Sequence, residues 1–468
     1  MRRRHAAFVR DLFTEAETTR ALGPLAEWQA RIAPSLGDLR AALAWSFSDA
    51  GDLEEGIALA AVSAPVWFDF SLMAEYRELA ERALALLANR PGGPDSTAAM
   101  KIHEALGHAL WHTRGSGPAM ATSFTRALEI AERLGSSEYQ QRALWGLWLI
   151  CNTTGDSAGS VRMAERFGNV TGPGTDDSGP THDRMMALAL HFHGEQARAR
   201  HHAQRVLDHQ SRVNRIAQNS GFQFDQRVAA LTVLSRTLWI HGHSDQALRH
   251  GDMAVTEAQE VGHALSLCYA LANGAIPAAF WAGDLATASR WTRLLLTRAT
   301  EHSLVFWQAF GEGYEMLLAP SDGTPEATSR RSLAMLTNPA TSPLLIDTLC
   351  TIDGRLFDAR MLDRVGASGW CAPELMRLHG HWLLQQEGDA AVEVARARFS
   401  EAFALAERQQ AAGWALRCAE SLARLERRLG EDGPWQARLG ELAGRFTEGR
   451  EATDLRRIEA LLASRPPA

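Results

Sequence analysis

The residues best suited to chemistry in this chain are seventeen histidines, five cysteines and a single lysine. A phosphate-cradling loop of the form GxxxxGK[ST] needs a lysine after a glycine, and Lys101 follows Met100. GxGxxG is absent as well, so no nucleotide fingerprint is written here. His191 and His193, His241 and His243, and His379 and His381 are i,i+2 pairs. On a helix that spacing turns two rings about 200° apart, so they cannot share a metal. Near helix ends such rings are expected to act as caps or as favourable charges beside the last carbonyls. His108 and His112 have the better i,i+4 spacing, but Ala109 stands where HExxH needs a glutamate. Cys151, Cys268, Cys350, Cys371 and Cys418 are widely spaced without a CxxC and read as small buried hydrophobes of a reducing, cytoplasmic compartment. No serine sits in GxSxG. The expectation is a chain with no catalytic constellation, cofactor or metal, and no enzymatic activity.

Aromatic anchors are the stronger signal. Trp111, Trp145, Trp148, Trp239, Trp281 and Trp307 each fall on what reads as the first helix of a helical hairpin. Tryptophan and arginine are the usual anchors of partner sites. The segment FQFDQR at 222–227 mixes aromatic and charged residues on such a helix. Trp145, Trp148, Asp225, Arg227 and Trp239 are therefore the candidate partner groove. Two plainer readings stand beside it. In these the tryptophans fill space between hairpins, and Asp225 and Arg227 cap their helix and pair across a turn.

The elements that would position these residues repeat. Gly194, Ala199 and Val206 are spaced like Gly242, Ala247 and Ala254, and like Gly283, Ala288 and Leu295. Gly155, Ser160 and Phe167 give a weaker copy, and Gly115 opens another. The glycine ends one helix and permits the tight turn. The small residue lets the second helix pack closely on the first. These five glycines lie 40, 39, 48 and 41 residues apart, a period that signals stacked helical hairpins. The fold class expected is all-α: antiparallel hairpins in a right-handed, tetratricopeptide-like superhelix, with first helices lining its concave face.

Hairpins are expected at 99–113 with 118–134, 138–151 with 157–169, and 182–193 with 195–208. Others fall at 224–241 with 244–261, 264–281 with 285–300, 373–387 with 390–410, and 413–430 with 434–446. Residues 1–92 read as a separate helical segment ending at PGGPDS, and the array runs from 98 to 318. Residues 319–372 read as an irregular or degraded repeat. Residues 373–468 read as further hairpins closed by a helix near 452–463, whose outer face would be Asp454, Arg456, Arg457 and Glu459.

A net charge of −7 argues against duplex DNA as a direct partner. Ala264 to Gly283 carries no charge, but it holds Asn273, Gly274 and Pro277 and falls where the repeat needs a helix buried on both sides. It reads as such a helix and not as a membrane span.

Several segments resemble one family. RRRHAAF at 2–8 and LGDLRAALAWSFSDAGDLEEGIALAAV at 36–62 are similar to the junction that follows the nucleotide-binding module in bacterial signal-transducing ATPases of the STAND class. There a histidine-bearing helix leads to an "NLRAALxW" helix, which Asp38-Leu39-Arg40-Ala41-Ala42-Leu43-Ala44-Trp45 matches with aspartate for the usual asparagine. ALEIAERL at 127–134, RALWGLW at 142–148, FQFDQRVAA at 222–230 and HALSLCYALA at 263–272 also look like that family, as do ELMRLHGHWLL at 374–384 and RFTEGREATDLRRIEALL at 445–462. The resemblance is to the subgroup with an OmpR-like winged helix, an ATPase and a repeat array, and it covers the array alone. It implies a non-enzymatic sensor or interaction module of a transcriptional regulator. The partner implied is a protein, such as a separately encoded winged-helix and ATPase module, or a small inducer. ATP hydrolysis and DNA binding carry over to no residue here. The other readings are a stand-alone scaffold without a transcriptional role, or an enzyme with an unrecognised site.

Overall fold

The computed structural model describes residues 1–20, 25–70, 72–170, 179–209, 224–302, 304–319 and 341–463. Every regular element among them is a helix. Two compact units divide the chain: Met1–Thr154 is the bulk of the first, and Gly179–Ser211 with Phe224–Ala468 the bulk of the second.

The first unit opens with α1 (Arg2–Thr19), α2 (Leu25–Ile32), α3 (Leu36–Ser46), α4 (Leu53–Val62), α5 (Ala64–Asp69) and α6 (Met73–Ala88). The hairpin α7 (Thr97–Arg114) with α8 (Pro118–Leu134) follows, then α9 (Ser137–Thr154). Leu39, Leu43 and Phe47, one stripe of α3, are buried. His5 on α1 meets Asp38 at 3.1 Å, so the two segments that resemble the post-ATPase junction touch.

After α10 (Ser157–Val170), the second unit pairs α11 (Gly179–His193) with α12 (Gln196–His209), and α13 (Gln226–Ile240) with α14 (Ser244–Val261). Next come α15 (Ala264–Ala270), α16 (Ile276–Ala282), α17 (Leu285–Glu301), α18 (Val305–Leu318), α19 (Pro343–Ile352) and α20 (Arg360–Val365). The C-terminal hairpins are α21 (Ala372–Glu387) with α22 (Val392–Arg408), and α23 (Ala412–Leu429) with α24 (Trp435–Gly444), followed by α25 (Thr453–Ala463). Stacked antiparallel helical hairpins are thus the architecture of the chain.

The repeated phrase has the geometry its chemistry demands. Gly115, Gly155, Gly194, Gly242 and Gly283 all have positive φ. Ser160, Ala199, Ala247 and Ala288 have no exposed surface, and Val206, Ala254 and Leu295 are buried behind them. At Gly242, φ is +90° and a Cβ would stand 2.8 Å from the Phe446 ring. Gly262 has φ +70° but open space around it. Gly242→Val is expected to cost about 3 kcal/mol, because left-handed strain of roughly 1–3 kcal/mol adds to overpacking. Gly262→Val should cost only the strain. Urea midpoints of both variants check this, and equal losses would refute the packing part.

Residues 264–282 depart from the single helix expected. Leu271–Ala275 forms a π turn between α15 and α16. Pro277 has no N–H, so the Asn273 carbonyl four residues earlier loses its helical donor. The Arg236 Nη1 group donates to that carbonyl at 3.0 Å, and the Tyr314 hydroxyl donates to Ala272 O at 2.6 Å. Ala264–Ala282 is long and apolar enough to cross a membrane, but 89% of its apolar window is buried inside protein.

Residues 320–340 lie outside the described residues. Beyond them α19 is a ten-residue apolar helix with Leu345 and Leu349 buried, too short for its periodicity to be read in the sequence. At the C-terminus, Asp454 is not on the outer face expected of it. It is buried and accepts from Arg417 Nε at 2.7 Å, while Arg457 is bidentate on Glu420. α25 is therefore fastened by ion pairs as well as by Leu455 and Ile458. Arg417 also reaches Glu374, which Arg377 grips with two bonds at 2.7 and 2.8 Å. Burial by itself would raise the Glu374 carboxyl, but Arg377 and Arg417 more than offset it and hold it at about 2. Glu374 then contributes stability that is complete above its ordinary pKa of 4.5 and is lost as pH falls toward 2. Glu374→Gln should be clearly destabilised at neutral pH, with the difference from the parent closing as denaturation is followed down to acid. A gap that does not narrow below the ordinary carboxylate range would contradict this origin.

Candidate functional site

The first unit contains a cavity of about 160 Å³ between the faces of α7 and α9. Its walls follow helical spacing. Lys101, Glu104, Ala105 and His108 form one stripe of α7, and Tyr139, Arg142 and Trp145 one stripe of α9. Ala64, Pro65 and Phe68 close it from α5, and Glu17 and Arg20 from the end of α1.

Burial grades the site from floor to mouth. Phe68, Glu104, His108, Tyr139 and Trp145 are buried, whereas Glu17, Lys101 and Arg142 are partly exposed. At the floor His108 stacks on Trp145 with centroids 5.5 Å apart, and its Nε2 lies 3.3 Å from Glu104 Oε1. Burial raises the Glu104 carboxyl, but the His108 hydrogen bond and the charges of His108, Arg142 and Lys101 outweigh it, so Glu104 is ionised at neutral pH. Trp145 is 4% exposed, and its Nε1–H is buried without an acceptor. At the mouth Lys101 pairs with Glu17 at 3.5 Å, Arg142 lies 5.1 Å over the Tyr139 ring, and Arg20 is held by both oxygens of Asp69. The cavity thus joins aromatic faces, a buried anion and cations at its mouth.

The five residues expected to form a groove have different fates. Trp145 is a wall of this cavity. Trp148 is 2% exposed with its ring 6.5 Å from Trp145, and is packing. Asp225 caps α13, accepting from the amides of Arg227 and Val228 at 3.0 and 2.9 Å. Arg227 Nε reaches both oxygens of Glu257 at 2.8 Å. For these two the cap-and-pair reading is the one found. Phe222 and Gln223 lie outside the described residues. Trp239 is 3% exposed and packs on Trp281 at 4.9 Å and Trp414 at 4.8 Å. Trp148 and Trp239 are thus corrected from exposed groove residues to core residues. Bulky rings on first helices satisfy their hydrophobic demand by filling the space between hairpins.

Lys101, Glu104, His108, Tyr139 and Arg142 were missed as site residues. The signal that held three of them was a polar stripe on α7, with Lys101, Glu104 and His108 at i, i+3 and i+7 on a helix whose neighbours are buried. The histidine pairs also need correction. His379 and His381 lie in the middle of α21, and His381 Nε2 bonds Ser421 Oγ at 2.9 Å. His191 is at a helix end but fully buried. Among the described residues no three His, Cys, Asp or Glu side chains are grouped to hold a metal ion.

No family model matches the chain, and no curated protein matches it. Among solved structures it is similar to a Rap protein in complex with Competence and Sporulation Factor. That match has 12% identity and a TM-score of 0.46, and covers 85% of this chain and 100% of that one. A circular tandem repeat protein with a novel repeat topology aligns over 98% of this chain and 95% of its own, at 16% identity and a TM-score of 0.15.

Proposed function

We propose that this chain is a non-enzymatic helical-repeat sensor or interaction module that takes a small inducer, or a side chain of a protein partner, in the cavity between α7 and α9. The observation that carries the reading is the cavity itself, floored by the His108–Trp145 stack and the buried Glu104 carboxylate and flanked at its mouth by Lys101 and Arg142. Cavity walls on first helices suit a face reserved for partners, the concave side of the expected superhelix. The segments that resemble the STAND-type junction and array support reading the module as part of a transcriptional regulator. There, occupancy would shift an ATPase between states only by binding them unequally.

Hydrogen exchange on the intact chain tests the reading. Adding the low-molecular-weight fraction or the protein fraction of the source cell should slow exchange in α7 and α9, and Trp145→Phe should weaken that protection. Exchange unchanged by both fractions would overturn the proposal.

A further inference from the structure

The charges around the α7–α9 cavity narrow the chemistry of what it takes. Glu17 and Glu104 supply two carboxylates, and Lys101 and Arg142 two cations. These charges are already paired: Lys101 with Glu17, Arg142 with Glu138, Arg20 with both oxygens of Asp69, and Glu104 with His108. The balance is even, so a ligand with net charge of either sign would leave one side uncompensated in a partly desolvated site. Depth separates Glu104 from the paired charges of the mouth, where Glu17 lies with Lys101. Glu104 lies at the buried floor, and Lys101 and Arg142 lie toward the mouth.

Size and wall chemistry narrow it further. A hole of about 150 Å³ lined by apolar side chains takes one benzene ring, so a cavity of about 160 Å³ takes a group of that size. Phe68, Tyr139 and Trp145 line it with aromatic surface. Such rings accept a small apolar side chain and also favour an adjacent ammonium.

We propose that the cavity binds a small zwitterion of the α-amino-acid class with an apolar side chain. Its ammonium meets Glu104, its carboxylate lies toward Lys101 and Arg142, and its apolar side chain lies against the Phe68, Tyr139 and Trp145 rings. This assignment rests on the reading of the cavity as the sensor site and adds the ligand class.

Isothermal titration of the intact chain with free alanine, valine, leucine and phenylalanine tests it. At least one should bind at submillimolar strength. Its amide, which lacks the carboxylate, and its N-acetyl form, which lacks the ammonium, should each bind at least tenfold more weakly, as expected of lost charge-assisted contacts. Glu104→Gln should lower affinity at least tenfold. Lys101→Met, at the partly exposed mouth, should fold normally, weaken binding and abolish discrimination against the amide. Three results would overturn the assignment: no heat from any free amino acid up to about 10 mM, equal binding of the acetylated form, or a Lys101→Met variant that still rejects the amide. If amino acids fail while cell-derived small molecules still protect α7 and α9 from exchange, the ligand class is wrong and the sensor reading stands. If neither acts, both fall.

Discussion

Arg236→Ala should cost the second unit about 3–5 kcal/mol, because one buried side chain is shared by His191, the Asn273 carbonyl and three aromatic rings. Arg236 is 1% exposed on α13. Its Nε–H donates to His191 Nε2 at 2.7 Å, and its Nη1 to the Asn273 carbonyl at 3.0 Å. Its guanidinium plane lies 4.4 Å from Trp370, 5.1 Å from Trp281 and 5.6 Å from Phe192. Burial lowers its pKa to about 10, which still leaves it charged at neutral pH. His191 is the matching acceptor. Burial and the Arg236 charge push its pKa well below the ordinary value, and its Nδ1 faces Gln196 Oε1 at 2.8 Å. A neutral ring that donates from Nδ1 leaves Nε2 free to accept.

Truncation to alanine orphans the buried His191 Nε2 at about 1–3 kcal/mol and exposes the part-buried Asn273 carbonyl, opens a cavity and removes cation–π contacts worth about 2 kcal/mol when desolvated. Loss of an expensive buried charge offsets part of this. Arg236→Met fills the space but leaves both acceptors without the guanidinium donors, so it should cost less than the alanine variant and more than nothing. Denaturant midpoints followed by tryptophan fluorescence measure both. An alanine variant within about 1 kcal/mol of the parent would show that the strut is dispensable.

Trp239→Ala should cost about 3–5 kcal/mol and leave ligand binding at the α7–α9 cavity unchanged. Trp239, Trp281, Trp370 and Trp414 form one buried cluster, with Arg417 5.1 Å over the Trp239 ring. Gly413 lies against it, where an added Cβ would come within 3.3 Å of the Trp239 ring. No smaller side chain refills that shape without movement of α13 and α23. The paired readout is the thermal midpoint and the calorimetric titration. A variant that keeps its midpoint and loses binding would return Trp239 to the groove.

The hairpin pattern was legible because it rests on local chemistry. A helix-ending glycine needs positive φ, and a residue five positions on must be small where two helices touch. Both demands are met within one turn of the chain, so Gly194, Ala199 and Val206 announce them without a partner in view. Helix limits from 97 to 170 and from 372 to 444 followed within a few residues. The interruption at Leu271–Ala275 was only half legible: Pro277 was visible, but Arg236 and Tyr314, which satisfy the freed carbonyls, come from 37 and 42 residues away.

The site was less legible for the same reason. The sequence marked Trp145, Trp148 and Trp239 as equals, since each is a tryptophan on a first helix. Which of them closes a core and which walls a cavity depends on what stands opposite. Trp239 faces Trp281 and Trp414, whereas Trp145 faces a space left by the small residues Ala61, Ala64 and Ala105. Asp225 and Arg227 likewise gave charge without direction until Glu257 was placed 30 residues on. Spacing along the chain determined that this protein is a stack of helical hairpins, because turn and packing demands repeat with the residues themselves. Only the tertiary structure decided where the stack leaves a cavity floored by a buried carboxylate, because that depends on side chains brought together from five helices.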